Sequence, residues 1–476
     1  MSILVYGNLI GRQWRESSET FPVVHKYSNE ILAAVSKSSR EDVAEAVSCA
    51  AAAFRGHKLP VMKRYGILRK AAELFEARKE ELAFTIVREC GKALRDARAE
   101  VERGIQTFIA SAEEAKRIAG KEVPIQGQPG QEGKIAFTIR VPVGVICAIT
   151  PFNFPFNLVA HKVAPALAAG NAIVLKPSEL APISAVKMAE ILLEAGLPPG
   201  FLNIVNGSGE ETGQYLLEDE RIAMYTFTGS AGVGKHIKSS TGIRKVSLEL
   251  GNNSPNIVHK DAPDIEKAIR LCVTRGFANN GQACISVQRI YVHRDIYHDF
   301  IEGAVSIASQ LKVGNPELED TLLGPMISEK AAMRAEEWIQ EAVQQGARVA
   351  FGGVREGALL HPTILTEVTP DMKVVCQEVF APVICIVPYD EVEEAMDAAN
   401  HSSYGLQAGF FTSSLQLALK AAQRLEFGGV IINDASSYRA DIMPYGGVKD
   451  SGIGKEGPYY AVQEMTEERI VVIDMG

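Results

Sequence analysis

Residues 145–177 read VICAITPFNFPFNLVAHKVAPALAAGNAIVLKP. Val145–Ile149 is a short apolar run of strand type, and 157–169 is long enough for a helix. Gly170 ends that helix, and 172–176 is strand-like again. Strand, helix and strand in succession form a βαβ unit, whose parallel strands are buried on both faces and therefore read as continuous apolar runs. The pattern repeats on the C-terminal side. A helix at 183–195, closed by Gly196 and Pro198, is followed by strands at 202–205, 224–227 and 246–250. A second series opens near Pro255, with a strand at 256–259, a helix at 265–279, a strand at 288–293, a helix at 330–346 and a strand at 383–387. On the N-terminal side, 38–119 reads as helical and opens on Ser39-Arg-Glu-Asp42, which resembles a capping box. Residues 120–141 are punctuated by glycine and proline and end in an extended run. The terminal stretch 468–473 is a lone β-branched strand, expected to pair with another subunit.

The chain has 476 residues, which suggests two or three domains. Its net charge of -9 argues against a nucleic-acid or anionic-membrane partner. There are seven cysteines and no CxxC pair, so a disulfide framework is not expected and a reducing, cytoplasmic setting is. The N-terminus lacks the pattern of a signal peptide, and prolines and polar residues interrupt the most apolar stretch before it could span a bilayer. No HExxH or paired histidine spacing occurs, so no metal is expected.

Chemistry enters at NNGQACI (279–285). A lone cysteine is ordinarily a core thiol, and Cys147, Cys272, Cys376 and Cys385 are read as such. Cys284 differs because a base and an oxyanion donor are available elsewhere. Glu249 closes an apolar strand, at the end where α/β folds place their sites. Asn153, in TPFNFPFN, carries an amide that can serve an oxyanion.

With these residues in view, the chain resembles the aldehyde dehydrogenase superfamily from end to end. The motifs are TPFNFP (150–155), KVAPALAAGNAIVLKPSE (162–179), FTGSAGVG (227–234), LELGNNSP (248–255), NNGQACI (279–285), QEVFAPV (377–383) and PYGGVKDSGIGKEG (444–457). The resemblance implies an α/β fold with a doubly wound, Rossmann-like NAD(P)-binding domain (1–120 and 142–251) and an α/β catalytic domain (252–443). A small β oligomerisation element (121–141 and 458–476) would make a homodimer or homotetramer. Cys284 would attack the aldehyde to give a thiohemiacetal, Asn153 and the Cys284 backbone N–H would hold the oxyanion, and Glu249 would activate water against the thioester. Lys162 would join a proton path to Glu249.

The cofactor residues implied are Thr150, Pro151, Phe152, Lys176, Ser178, Glu179, Gly209, Gly213, Phe227, Gly229, Ser230, Leu250, Glu378 and Phe380. The loop Gly207-Ser-Gly209-Glu-Glu-Thr-Gly213 misses the dinucleotide fingerprint by one residue. A carboxylate at Glu179 accepts bonds from ribose hydroxyls and repels a 2′-phosphate, which favours NAD, with NADP the alternative. YRADIMPYGG (438–447) and EVERGIQTF (100–108) are similar to the branch acting on lactaldehyde, glyceraldehyde 3-phosphate and phosphono- or sulfo-aldehydes. Arg103 and Arg439 are placed around an anionic tail, since guanidinium forks suit phosphate, sulfonate and carboxylate. Ala283 stands where phosphate-gripping relatives often carry arginine, which turns the reading towards lactaldehyde-like or sulfonated substrates. Alternatives are a succinic semialdehyde or broad-specificity enzyme, a CoA-acylating dehydrogenase, and a non-catalytic NAD-binding relative.

Overall fold

The computed structural model describes residues 3–56 and 59–476. Two large sheets carry the chain. The first has eight strands, in the order Gly452–Ile453, Lys245–Glu249, Met224–Thr228, Val145–Ile149, Ala172–Lys176, Leu202–Ile204, Asn8–Ile10 and Gln13–Arg15. Its five central strands run parallel. The order reverses between Val145–Ile149 and Met224–Thr228, because the chain builds outward in one direction and then returns to the other side of its first strand. Such a switch point opens a crevice at the C-terminal strand ends. Thr228 is paired with Glu249 across the adjoining ladder, which brings that carboxyl to the crevice.

The helix Asn157–Ala169 is buried on every side. Its Asn157, His161 and Lys162 therefore require partners inside the protein, since unpaired buried polar groups are costly. The helix Arg40–Gly56 begins with a reciprocal cap, Asp42 N–H to Ser39 Oγ at 3.1 Å and Ser39 N–H to Asp42 Oδ2 at 2.9 Å.

The second sheet has seven strands: Arg348–Phe351, Thr363–Thr366, Val383–Tyr389, Arg289–His293, Pro255–Val258, Gln407–Phe411 and Gly429–Ile432. Its leading helix, Ile265–Phe277, stops short of the 279 expected from periodicity. Asn279, Asn280 and Gly281 instead take left-handed backbone with φ of 50°, 57° and 67°. Asparagine and glycine are the residues that tolerate this region. Gly281 is also pressed against the chain, since a Cβ there would lie 2.0 Å from the Ala381 carbonyl oxygen. Three left-handed residues in a row turn the chain sharply just before Cys284.

The terminal strand has a partner within its own chain. Thr466–Asp474 pairs antiparallel with Lys134–Pro142 of the same chain, from Thr466 opposite Pro142 to Asp474 opposite Lys134. The distance between the two in sequence hides the pairing. The terminal strand remains at an edge of this small sheet, with Glu122–Val123 on the other side. A three-stranded sheet of Val5–Tyr6, Ile31–Ser36 and Thr20–Val24 was not anticipated. Cys147, Cys272 and Cys385 are buried as expected of core thiols, whereas Cys376 is half-buried.

Candidate active site

Two cavities meet at Cys284. The larger, about 640 Å³, lies at the switch point and is lined by Pro151, Phe152, Asn153, Gly229, Ser230, Leu250, Glu378 and Phe380. Its far wall comes from the helix Glu329–Gln344 through Arg334 and Glu337, a contribution with no signal in the sequence motifs. The smaller, about 200 Å³, is lined by Arg103, Asn157, Ala283, Arg439 and Tyr445. A group between them can be approached from both sides.

Cys284 is half-buried, and its Sγ lies 2.8 Å from the Tyr445 hydroxyl. Burial pushes the thiol up to about 11, against the opposing effects of the Tyr445 hydrogen bond and the Arg439 charge. Asn153 is buried and donates from Nδ2 to the Gln282 carbonyl at 2.9 Å. Asn279 donates to the Asn153 carbonyl at 3.1 Å and to the Gln282 carbonyl at 3.0 Å. Asn153 is thus fixed to the cysteine loop by one amide proton, and an amide NH₂ carries a second.

Glu249 is 2% exposed, and among the described residues neither of its oxygens has a hydrogen-bond partner. Burial and the nearby Glu456 raise its pKa well above the ordinary carboxyl range. Glu456 is the opposite case. Burial works to raise it, but Lys162 and Arg439 outweigh burial and hold it at about 2. Lys162 Nζ donates to Glu456 Oε1 at 2.9 Å and to Thr226 Oγ1 at 3.2 Å, and Arg439 Nη2 reaches Glu456 Oε2 at 3.0 Å. Lys162 therefore has no direct bond to Glu249. Two carboxyls driven apart in this way are available for different roles.

Arg103 and Arg439 both line the smaller cavity, yet each is already paired. Arg103 grips Asp441 with Nε at 3.0 Å and Nη2 at 2.8 Å. Asp441 also contacts His161 Nε2 at 2.9 Å and Asn157 Nδ2 at 3.1 Å. Every polar residue of the buried helix that needs a partner thus meets a carboxylate from the 441–456 segment. Arg439 is stacked over the Tyr445 ring at 3.7 Å, and its Nε has no partner. The guanidinium has five donors, so both arginines keep some free. Tyr445, Glu456 and Asp441 stand inside quoted motifs, but nothing about their residue types singled them out. The one available clue was an acidic residue and an aromatic in an otherwise glycine-rich loop.

On the larger cavity, Glu378 is pushed up to about 7 by burial and accepts the Asn252 backbone N–H at 3.0 Å. Gly251 is needed there, since a Cβ would lie 2.5 Å from Glu378 Oε2. Phe380 takes φ of 51° and meets Phe152 edge-on at 6.0 Å. Ser230 caps the helix Ala231–Ser240, whose N-terminus suits an anion. Thr150, Lys176, Ser178, Glu179, Gly209 and Gly213 lie at or beyond the C-terminal ends of neighbouring parallel strands and do not line this cavity. Lys176 is buried, which lowers it to about 8, while Glu179 is exposed. The Phe227 ring would meet a Cβ at Gly229 within 2.4 Å.

The model of the aldehyde dehydrogenase family matches residues 14–471. The chain belongs to the aldehyde dehydrogenase family. It is 53% identical over 470 residues to a 3-sulfolactaldehyde dehydrogenase of Priestia aryabhattai, covering 99% of this chain and 98% of the relative. Aldehyde dehydrogenase 21 of Physcomitrella patens, solved with the reaction product succinate, superposes with a TM-score of 0.97 at 39% identity, covering 100% and 99%. Glyceraldehyde-3-phosphate dehydrogenase GapN of Methanocaldococcus jannaschii, solved with NADP, superposes with a TM-score of 0.92 at 42% identity, covering 97% and 99%.

As an aldehyde dehydrogenase, the chain is an NAD(P)-dependent oxidoreductase. The switch-point cavity fits that cofactor class in size, in its helix N-terminus and in the buried Glu378 carboxyl. Among the described residues no helix is long and apolar enough to cross a membrane, and no cluster of three metal-ligating side chains occurs.

Proposed function

We propose that this enzyme oxidises a small 2-hydroxy aldehyde with an anionic tail, of the 3-sulfolactaldehyde kind, to its carboxylic acid. The observation that carries the reading is the meeting of a 640 Å³ and a 200 Å³ cavity at Cys284, with arginines in the smaller one. The Cys284 thiolate adds to the carbonyl carbon. The resulting oxyanion accepts hydrogen bonds from the second amide N–H of Asn153 and from the Cys284 backbone N–H, since a fixed pair of donors stabilises developing charge. The larger cavity would hold NAD(P), which would supply the acceptor for the hydride lost from the thiohemiacetal carbon. The thioester left on Cys284 is attacked by water, whose proton passes to Glu249. Lys162 supports that transfer through Glu456 and not by direct contact.

Arg103 and Arg439 hold the anionic tail with the donors left free by Asp441 and Glu456. Glu378 and Phe380 orient the nicotinamide end. Ser230 meets the pyrophosphate, and Lys176, Ser178 and Glu179 meet the adenosine ribose. The exposed Glu179 carboxylate favours NAD over NADP. We read residues 1–120 with 142–251, and 252–443, as the cofactor and catalytic domains. Residues 121–141 and 458–476 form the assembly element, where Ile135, Ile139, Ile470 and Val472 expose apolar surface.

The deciding experiment is a kcat/KM comparison of 3-sulfolactaldehyde, lactaldehyde, glyceraldehyde 3-phosphate, phosphonoacetaldehyde and succinic semialdehyde, each with NAD and NADP. 3-Sulfolactaldehyde with NAD is expected to lead. A lead by succinic semialdehyde, which has no 2-hydroxyl, would overturn the reading.

A further inference from the structure

We propose that the Tyr445 hydroxyl selects aldehydes bearing a hydroxyl on the carbon next to the carbonyl, by receiving that hydroxyl once Cys284 has reacted. The proposal rests on Cys284 being the nucleophile, as argued above. Tyr445 is 2% exposed, and among the described residues its hydroxyl has one hydrogen-bond partner, Cys284 Sγ at 2.8 Å. The ring is held on two sides. Arg439 covers its face at 3.7 Å, and the backbone of Tyr445 is paired both ways with that of Glu456, at 3.1 Å and 2.6 Å. The hydroxyl therefore has a fixed position beside the sulfur and inside the 200 Å³ cavity.

When Sγ bonds to the aldehyde carbon, one lone pair of the thiolate becomes the C–S bond and the sulfur loses its negative charge. A thioether-type sulfur is only a weak acceptor, so the buried phenol loses its partner. A buried donor left unsatisfied is costly. Two substrate oxygens lie within reach in principle. The oxyanion, two bonds from Sγ, is served by Asn153 and the backbone N–H of Cys284. The oxygen on the next carbon is three bonds from Sγ, and among the described residues Tyr445 is the side chain hydrogen-bonded to that sulfur. A substrate with that hydroxyl restores the lost bond in the reacting complex, whereas one without it leaves the phenol orphaned. Burial raises Tyr445 well above the ordinary phenol range, so it remains a donor throughout. A site built to pair with a hydroxyl discriminates strongly against an analogue that lacks it.

Lactaldehyde and propanal differ by this hydroxyl alone, and Tyr445→Phe removes the phenol oxygen while keeping the ring under Arg439. The experiment measures kcat/KM for both aldehydes with NAD in the wild type and in Tyr445→Phe, with NADH binding as the check on folding. The rate of Cys284 alkylation by iodoacetamide is followed against pH in both proteins. The lactaldehyde-to-propanal ratio is expected to fall by about tenfold or more in the variant. The alkylation profile should move to higher pH, because the thiolate has lost a donor. Equal loss on both aldehydes would place Tyr445 on the oxyanion or the thiol alone and overturn the proposal, as would an unchanged ratio. A wild type that alkylates at Cys284 but oxidises neither of these aldehydes nor 3-sulfolactaldehyde would sink the functional reading itself, and this proposal with it.

Discussion

Lys162 gives its ammonium group to Glu456, 2.9 Å away, and leaves Glu249 without a hydrogen-bond partner among the described residues. Both carboxyls are buried and both feel the same two cations, yet one is held below the ordinary carboxyl range and the other is raised well above it. The difference is contact. Glu456 receives bonds from Lys162 and Arg439 that offset its desolvation, whereas Glu249 feels those charges only from a distance. A carboxyl raised towards the working pH is suited to taking a proton from water and giving it up again.

Replacing Glu249 by glutamine should therefore separate the two halves of the reaction. Glu249→Gln keeps the shape but cannot accept a proton. A pre-steady-state burst of NADH is expected at close to full amplitude, followed by steady-state turnover slowed about 10²–10⁴-fold. Stopped-flow absorbance distinguishes the phases. Equal slowing of the burst and the steady state would remove Glu249 from deacylation.

The same substitution should stabilise the protein, with a defined pH dependence. In the unfolded chain this carboxyl ionises in its usual range, while in the folded chain it retains its proton to higher pH. Between the two, the native state binds more protons than the unfolded state, so stability falls as pH rises. Glutamine has no such proton to lose. The Tm of Glu249→Gln should match the wild type near about pH 4 and exceed it by about 2–4 °C near about pH 8, the shift that ~1 kcal/mol produces in a large domain. Differential scanning fluorimetry across that range decides it, and a constant offset would count against the raised carboxyl.

Glu456→Gln tests the coupling from the other side. Removing its negative charge leaves Lys162 and Arg439 acting on Glu249 alone, so the Glu249 pKa should drop. The acidic limb of the deacylation pH profile is expected to move to lower pH by about one unit or more, with a modest fall in the plateau. An acidic limb that stays in place would show that the two carboxyls titrate independently.

Asn153→Ala should cost more than the loss of one donor. The Asn153 amide anchors the Gln282 carbonyl, so the substitution also loosens the turn that positions Cys284. A fall of about 10²–10³-fold in kcat is expected from the oxyanion donor. Slower alkylation of Cys284 at fixed pH would report the additional misplacement, and normal alkylation would limit Asn153 to the oxyanion.

The βαβ pattern was legible because parallel buried strands such as Val145–Ile149 and Ala172–Lys176 leave uninterrupted apolar runs. Cys284, Glu249 and Asn153 stood out as candidates because each sits in a short, distinctive motif. What was hidden came from contacts between segments far apart in sequence. Thr466–Asp474 finds its partner at Lys134–Pro142, and no local pattern marks that pairing. The helix expected to reach 279 ends at Phe277, where three left-handed residues override an apolar periodicity. Arg103 and Arg439 were read together and both line the smaller cavity, but Asp441 and Glu456, which already hold them, could be assigned only in three dimensions.

Those internal partners change what an arginine substitution should do. In Arg103→Ala, Asp441 keeps His161 and Asn157 but loses its bidentate partner, which places a less compensated carboxylate beside the substrate cavity. Asp441 is held well below the usual carboxylate range, because His161 and Arg103 outweigh the opposing effect of burial. It therefore stays charged at neutral pH even when Arg103 is gone, unless its pKa rises far. An anionic aldehyde then meets repulsion as well as a missing donor. The expected fall in kcat/KM is about 10²-fold for 3-sulfolactaldehyde and less than about tenfold for the neutral lactaldehyde. Arg103→Ala/Asp441→Asn removes the repulsion while leaving the donor absent, and should recover part of the loss on the anionic substrate alone. A double variant no better than Arg103→Ala would mean that the guanidinium contributes by attraction only, and equal losses on both aldehydes would take Arg103 out of tail recognition altogether.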